Sequence, residues 1–296
     1  MAMKMTRCRK ASLGILAGLA LLAAGCSLAP IEGPAPLRYR DDIFTAVTKT
    51  AAVTYGSAVN QQGVTQTLKM DIYRPTGDTD THRPAVVLVH GGSFSGGDRN
   101  EVDIVDQANV FAKKGYVTAS IDYRLGSPGC SQPSDPSCPA AIVDAQHDAQ
   151  AAVRFFRRYA TTYGVDPTRI AVSGTSAGAI TALLVGYHSD DPGDSGNPGY
   201  SSAVRGAMSL SGAAIFNSVI GPGDAPALDF HGTADPLVPY KWAKSTQAAA
   251  QAAGLEFDLI TYPGDGHVPY QHRTQILDLE TRFLYHTLDS GHAADA

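Results

Sequence analysis

The 296-residue chain predicts an α/β fold: a mostly parallel central sheet with an antiparallel N-terminal hairpin and helices on both faces. Three observations carry this expectation. Short apolar runs alternate with helix-length patterns from residue 51 to residue 290. The run at 85–90 (AVVLVH) is apolar up to its closing histidine, as a strand covered on both faces requires. At 169–178 a strand pattern leads through Gly-x-Ser-x-Gly directly into a helix pattern.

Taken in order, residues 51–59 and 64–73 read as two strands paired around Gln62-Gly63. In the second, Leu68, Met70 and Ile72 alternate with Thr67, Lys69 and Asp71, so one face is apolar. Strands follow at 85–90, 117–121, 169–173, 204–210, 227–231 and 257–262. Helices are expected at 101–114, stopped by Gly115, and at 139–163, stopped by Gly164. Others fall at 177–187, at 241–253 before Gly254, and at 271–285. Such alternation favours parallel strands joined by crossover helices.

Composition sets limits. With 44% hydrophobic and 17% charged residues the chain is globular. A formal net charge of −5 with no basic cluster argues against a nucleic-acid partner. Residues 1–25 read as a targeting segment: Lys4, Arg7, Arg9 and Lys10 precede a short apolar run. It ends Leu22-Ala-Ala-Gly-Cys26, which resembles a bacterial lipoprotein signal, although Ala23 stands where leucine is usual. The resemblance implies acylation of Cys26 and attachment to a membrane of the cell envelope; ordinary secretion is the alternative. Loss of the four cations would take the net charge to about −9. Residues 26–50, with Pro30, Pro34 and Pro36, read as a tether, and 291–296 as a flexible tail. Export places Cys130 and Cys138 in an oxidising compartment, where they would close a short loop by a disulfide; two free thiols are the alternative.

The serine turn is the most informative stretch. A serine hydroxyl attacks a carbonyl only when a base takes its proton. The sharp turn 174–178 (GTSAG) pushes Ser176 out at the crest of the sheet, and the following helix aims free amides at developing negative charge. The loop 90–94 (HGGSF) follows a strand and supplies flexible backbone, so the amides of Gly92, Ser93 and Ala177 are the expected oxyanion donors. His90 reads as shaping that loop. Two later loops carry the remaining partners: 231–235 (HGTAD) with Asp235, and 262–267 (YPGDGH) with His267. His267 is the expected base and Asp235 the acid that orients it; the order Ser, Asp, His differs from chymotrypsin-like and subtilisin-like proteases.

The competing residues have plainer readings. Asp265 lies too near His267 in sequence to orient it easily. Asp229 falls within a strand, and His231 packs or caps the Asp235 loop. Asp122-Tyr-Arg124 and Asp148 read as structural ion pairs. Asp190, Asp191 and Asp194 match no cation-binding loop, so a calcium site is rejected for a solvated loop. Trp242, the only tryptophan, reads as packing its helix, with contact to substrate as the alternative. No metal-ligand spacing is present.

With these motifs in view, the chain from about residue 53 onward resembles secreted bacterial esterases of the α/β-hydrolase fold. The resemblance is carried by 71–75 (DIYRP), 90–94 (HGGSF), 122–125 (DYRL), 163–170, 174–178, 231–235 and Gly266-His267. It is similar to the hormone-sensitive-lipase-like and feruloyl- and acetyl-esterase-like branches. Ser93 replaces the third glycine of the common HGGG and Ala179 a common glycine, and neither change removes a backbone amide. The resemblance implies a carboxylesterase needing no cofactor, acting on a small ester or on ester decorations of a polymer. Two alternatives stand beside it: a prolyl-oligopeptidase-like peptidase, and a catalytically silent, lipid-anchored binding protein.

Overall fold

A computed structural model describes residues 26–127, 129–130 and 137–288. The targeting segment 1–25 and the tail 291–296 lie outside the described residues, and the structure bears on neither.

Eight strands form one sheet: β1 (Val47–Val59), β2 (Thr65–Pro75), β3 (Arg83–Val89), β4 (Val117–Ile121), β5 (Val165–Thr175), β6 (Ala207–Leu210), β7 (Ala227–Gly232) and β8 (Phe257–Tyr262). Their order is β1-β2-β4-β3-β5-β6-β7-β8. β2 pairs antiparallel with both β1 and β4, and all later pairs are parallel. The helices are α1 (Val102–Lys114), α2 (Cys138–Arg158), α3 (Ala160–Tyr163), α4 (Ala177–Tyr187), α5 (Tyr240–Ala252) and α6 (Arg273–Thr287).

The continuous apolar run of β3 has a direct physical reason. Ala85, Val87 and Val89 enter a core shared with α2, α4 and α5, while Val86 and Leu88 enter a second core beneath α1 and α6. A strand with two buried faces needs apolar residues at every position. The expected 139–163 helix is instead two pieces, broken at Tyr159, and the N-terminal hairpin is longer than its alternation indicated.

The tether expectation for 26–50 is corrected. Ser27 Oγ donates to Glu256 Oε1 at 2.8 Å and to Asp258 Oδ2 at 3.1 Å. Tyr39 is 1% exposed and its ring meets Tyr116 at 5.0 Å. Arg38 pairs with Asp78 at 2.6 Å, and β1 already begins at Val47. The proline content concealed a strap whose Leu28 and Tyr39 complete the second core. The first core has its own polar seam: Arg124 and Asp148, both buried, pair at 2.9 Å, and Ser195 Oγ donates to Asp148 at 2.5 Å.

Glu280 of α6 is 1% exposed in the second core, and its Oε2 has no partner among the described residues. Burial first, then the charges of Asp106 and Asp103, push its carboxyl up to about 8. The unfolded chain gives up this proton near the ordinary glutamate range, whereas the fold retains it to about pH 8. The group's contribution is therefore present in acid and lost as pH rises between those values. Glu280→Gln should raise the melting temperature more at pH 8 than at pH 5; a gap that does not widen between these pH values would refute the assignment.

Candidate active site

Ser176 sits between β5 and α4 with φ 56° and ψ −114°, a conformation that costs energy for a non-glycine residue. The neighbouring glycines make it possible. A Cβ on Gly178 would lie 2.0 Å from the Val89 carbonyl oxygen, and one on Gly174 would lie 2.2 Å from that of Gly178. α4 therefore starts in direct backbone contact with the end of β3.

The loops after β7 and β8 bring the partners to this point. Ala234 N–H donates to Asp265 O at 2.9 Å, and Thr233 N–H to Tyr262 O at 3.1 Å, so the two loops are laced together. His267 Nε2 lies 2.7 Å from Ser176 Oγ, and its Nδ1 lies 2.7 Å from Asp235 Oδ2. The carboxylate accepts at Nδ1, which leaves Nε2 free to take the serine proton. Oδ1 of Asp235 accepts the amides of Leu237 at 2.8 Å and Val238 at 3.0 Å. Burial works to raise the Asp235 carboxyl; the hydrogen bonds from His267, Leu237 and Val238 outweigh it and hold the group below the ordinary carboxylate range. The structure thus brings Ser176, Asp235 and His267 together. Asp265 is engaged elsewhere, with His272 at 2.6 Å.

On the oxyanion side, Ser93 and Phe94 both have left-handed φ, 53° and 57°. Their carbonyls are drawn away from the site: Ser93 O accepts Cys130 N–H at 2.8 Å, and Phe94 O accepts Gly126 N–H at 2.7 Å. Among the described residues the amides of Gly92, Ser93 and Ala177 find no acceptor, which leaves them free for an oxyanion. His90 does not face the serine as a base. Its Nδ1 donates to Gly91 O at 2.6 Å, and its ring stacks on Tyr123 at 4.3 Å. Burial pushes His90 below the ordinary histidine range, despite the Gly91 contact.

Two cavities meet at the serine. One, of about 370 Å³, is lined by Phe94, Ile142, Ile180, Ile215 and Trp242, and by the Cys130–Cys138 disulfide. The other, of about 440 Å³, is lined by the glycine loop, His267, Glu101 and Asp103. Leu237, 63% exposed, borders both. A larger cavity of about 570 Å³ between the N-terminal strap and α6 contains none of the triad. Trp242 lines the apolar cavity, the alternative to plain packing, whereas the place of Glu101 and Asp103 is not legible in the sequence, because loop paths decide which distant residues line a cavity. Ser211 has a structural part beside them: its Oγ accepts the Val268 amide at 3.0 Å and so fixes the His267 loop. Among the described residues no three His, Cys, Asp or Glu side chains could hold a metal ion.

The structure combines the α/β-hydrolase fold with an assembled Ser–His–Asp constellation. Known proteins agree with that class. The family described as BD-FAE matches residues 70–205, and the one described as Phospholipase/Carboxylesterase matches 143–284. Esterase LipI of Mycobacterium tuberculosis is 34% identical over 119 residues, 40% of this chain and 33% of its own. The human arylacetamide deacetylase-like 2 is 35% identical over 133 residues, 41% of this chain and 29% of its own. The chain thus spans about a third of the length of these curated relatives. Among solved structures, Thermogutta terrifontis esterase 2 phosphorylated by paraoxon superposes with a TM-score of 0.67 at 26% identity, over 79% of this chain and 93% of that one. The chain therefore has the α/β-hydrolase fold and is similar to esterases.

The disulfide closes an eight-residue separation in the wall of the apolar cavity. Replacing Cys130 and Cys138 together by serine should lower the unfolding free energy by about 2–3 kcal/mol, read from urea midpoints. Unchanged midpoints would show that the bridge is not formed in solution.

Proposed function

We propose that this protein is a serine carboxylesterase working through an acyl-serine intermediate. The observation that carries the reading is the 2.7 Å contact of His267 Nε2 with Ser176 Oγ, backed by Asp235. Ser176 Oγ attacks the ester carbonyl carbon while His267 takes the hydroxyl proton. The carbonyl oxygen becomes an oxyanion held by the amides of Gly92, Ser93 and Ala177. Collapse expels the alkoxide, which leaves as the alcohol with the proton from His267. Water then attacks the acyl-serine, gives its proton to His267, and the carboxylic acid departs as Ser176 recovers its hydrogen.

The two cavities divide the substrate. His267 must hand its proton to the leaving oxygen, so the alcohol lies in the cavity that His267 lines. That cavity carries Glu101 and Asp103. The acyl group then enters the apolar cavity, whose volume suits a short chain. Thermogutta terrifontis esterase 2, solved with butyrate bound, is 25% identical with a TM-score of 0.66 and supports that size class. The assembled triad and unpartnered amides weigh against a silent scaffold, since neither serves the fold. A peptidase would use the same triad, and the comparison of ester with amide substrates separates the two.

The anchor belongs to this reading as well. Cleavage before Cys26 and acylation of its thiol would hold the domain at the cell envelope. Ser27 is tied to the start of β8, whereas Asp235 and His267 follow the far ends of β7 and β8. The site would then open away from the lipid, at least about 20 Å from Ser27 along a six-residue strand. An unmodified Cys26 in the intact mass of membrane-fraction protein would end this part of the proposal.

The enzyme should hydrolyse p-nitrophenyl butyrate and react with a fluorophosphonate, and Ser176→Ala should abolish both while the circular dichroism is retained. Asp235→Asn should lower kcat by about 10³–10⁴-fold. Absence of turnover across acyl lengths, together with absence of labelling, would favour the binding-protein alternative; faster turnover of amides would favour the peptidase. Esters of anionic alcohols should be poor substrates, and E101Q combined with D103N should narrow their gap to neutral esters; a gap that stays the same would place the alcohol elsewhere.

A further inference from the structure

We propose that His231 is a positioning residue for the triad: a buried imidazolium that bridges Asp229 and Asp235 and fixes the acid both by its charge and by its backbone turn. The proposal rests on the reading of Ser176, His267 and Asp235 as the working triad. The side chains of His231, Asp229 and Asp235 are all 0% exposed. His231 Nε2 lies 2.8 Å from the Val238 carbonyl oxygen, and Nδ1 lies 3.2 Å from Asp229 Oδ2. A carbonyl oxygen only accepts, so Nε2 carries a proton. Asp229 as a carboxylate only accepts, taking the Ser209 hydroxyl at 2.5 Å on Oδ1 and His231 Nδ1 on Oδ2, so that nitrogen is a donor as well. A ring that donates from both nitrogens is the cation.

That cation lies behind the acid. His231 Nε2 is 3.5 Å from Asp235 Oδ2, the oxygen that holds His267. The same nitrogen pins Val238, whose amide caps Asp235 Oδ1. One imidazole therefore holds the turn at 235–238 closed and offsets the carboxylate charge. The facing groups are few. Asp229 lies on the same strand and Asp235 on the loop after it. Tyr240 of α5 comes within 5.9 Å, ring to ring. Ser209 of β6 and Tyr187 of α4 act on Asp229, and His267 lies across Asp235. Burial alone would strip the proton from His231; the Asp229 contact, the Val238 carbonyl and the Asp235 charge outweigh it and hold the ring above the ordinary histidine range.

The consequence has a sign that a purely structural role lacks. With the His231 charge gone, the whole field of Asp235 acts on the triad base and favours its protonated, inactive form. His231→Gln keeps an N–H for Val238 and removes the charge. The acid limb of kcat/KM for p-nitrophenyl butyrate should move up by about half to one pH unit. A limb that stays or moves down, with only kcat reduced, would make His231 a packing residue and overturn the proposal. If His231→Gln does not fold, the unaltered protein decides the matter: ¹⁵N NMR at pH 8 should show the His231 ring protonated at both nitrogens, and a neutral ring would overturn it. The NMR measurement needs no turnover. Inactivity toward every ester would therefore count against the esterase reading, while the ring's charge would still decide this one.

Discussion

The strained backbone at Ser176 is the constraint from which the rest of the site follows. A residue at φ 56° and ψ −114° does not hold that conformation by its own preference. It is held because β5 ends under the backbone of α4, and α4 abuts the end of β3 through Gly178. The hydroxyl is thereby lifted above the sheet, and the Ala177 amide lies where the proposed reaction would develop negative charge. The helix dipole adds to this, since the positive end of α4 faces the same point. Were α4 backed away by one side chain, the oxyanion loop and the nucleophile would separate.

The other loops are held by charges at the sheet's crest. Arg99 joins Asp71 of β2 at 2.9 Å to Asp122, just after β4, at 2.5 Å. Arg124 joins the same post-β4 segment to Asp148 of α2. A buried pair such as Arg124–Asp148 need not add net stability, because desolvation consumes much of the attraction. Its effect is to fix where the chain runs. Tyr123, between the two, donates from its hydroxyl to His90 O at 3.1 Å and stacks on the His90 ring. The path from β4 thus shapes the glycine loop, and the glycine loop presents free amides to Ser176.

Much of this was legible in the sequence, and the reasons are local. Ser176, His90 to Phe94, Asp235 and His267 all stand directly after strand patterns, and the parallel order of strands carries every one of them to the same sheet edge. The apolar run of β3 reports its two-sided burial without any tertiary knowledge. The strap at 26–50 was misread because three prolines and small residues look alike in a tether and in a packed irregular segment; only the partners Glu256, Asp258 and Tyr116, far along the chain, distinguish them. The cavity linings were hidden for the same reason. Glu101 and Trp242 reach the serine only through loop paths that periodicity does not encode.

Four histidines show how neighbours, not residue type, set what an imidazole does. His90, buried beside a carbonyl and a tyrosine ring, is driven toward neutrality and shapes a loop. His267 faces a carboxylate on one side and a hydroxyl on the other, so it can cycle between forms. His231 faces a carbonyl and a carboxylate, acceptors on both sides, and is left as a fixed charge. His272 pairs with Asp265 at 2.6 Å and keeps that carboxylate engaged. A triad requires one histidine that is free to change its proton, and the surrounding chain meets that requirement by giving the other three fixed duties.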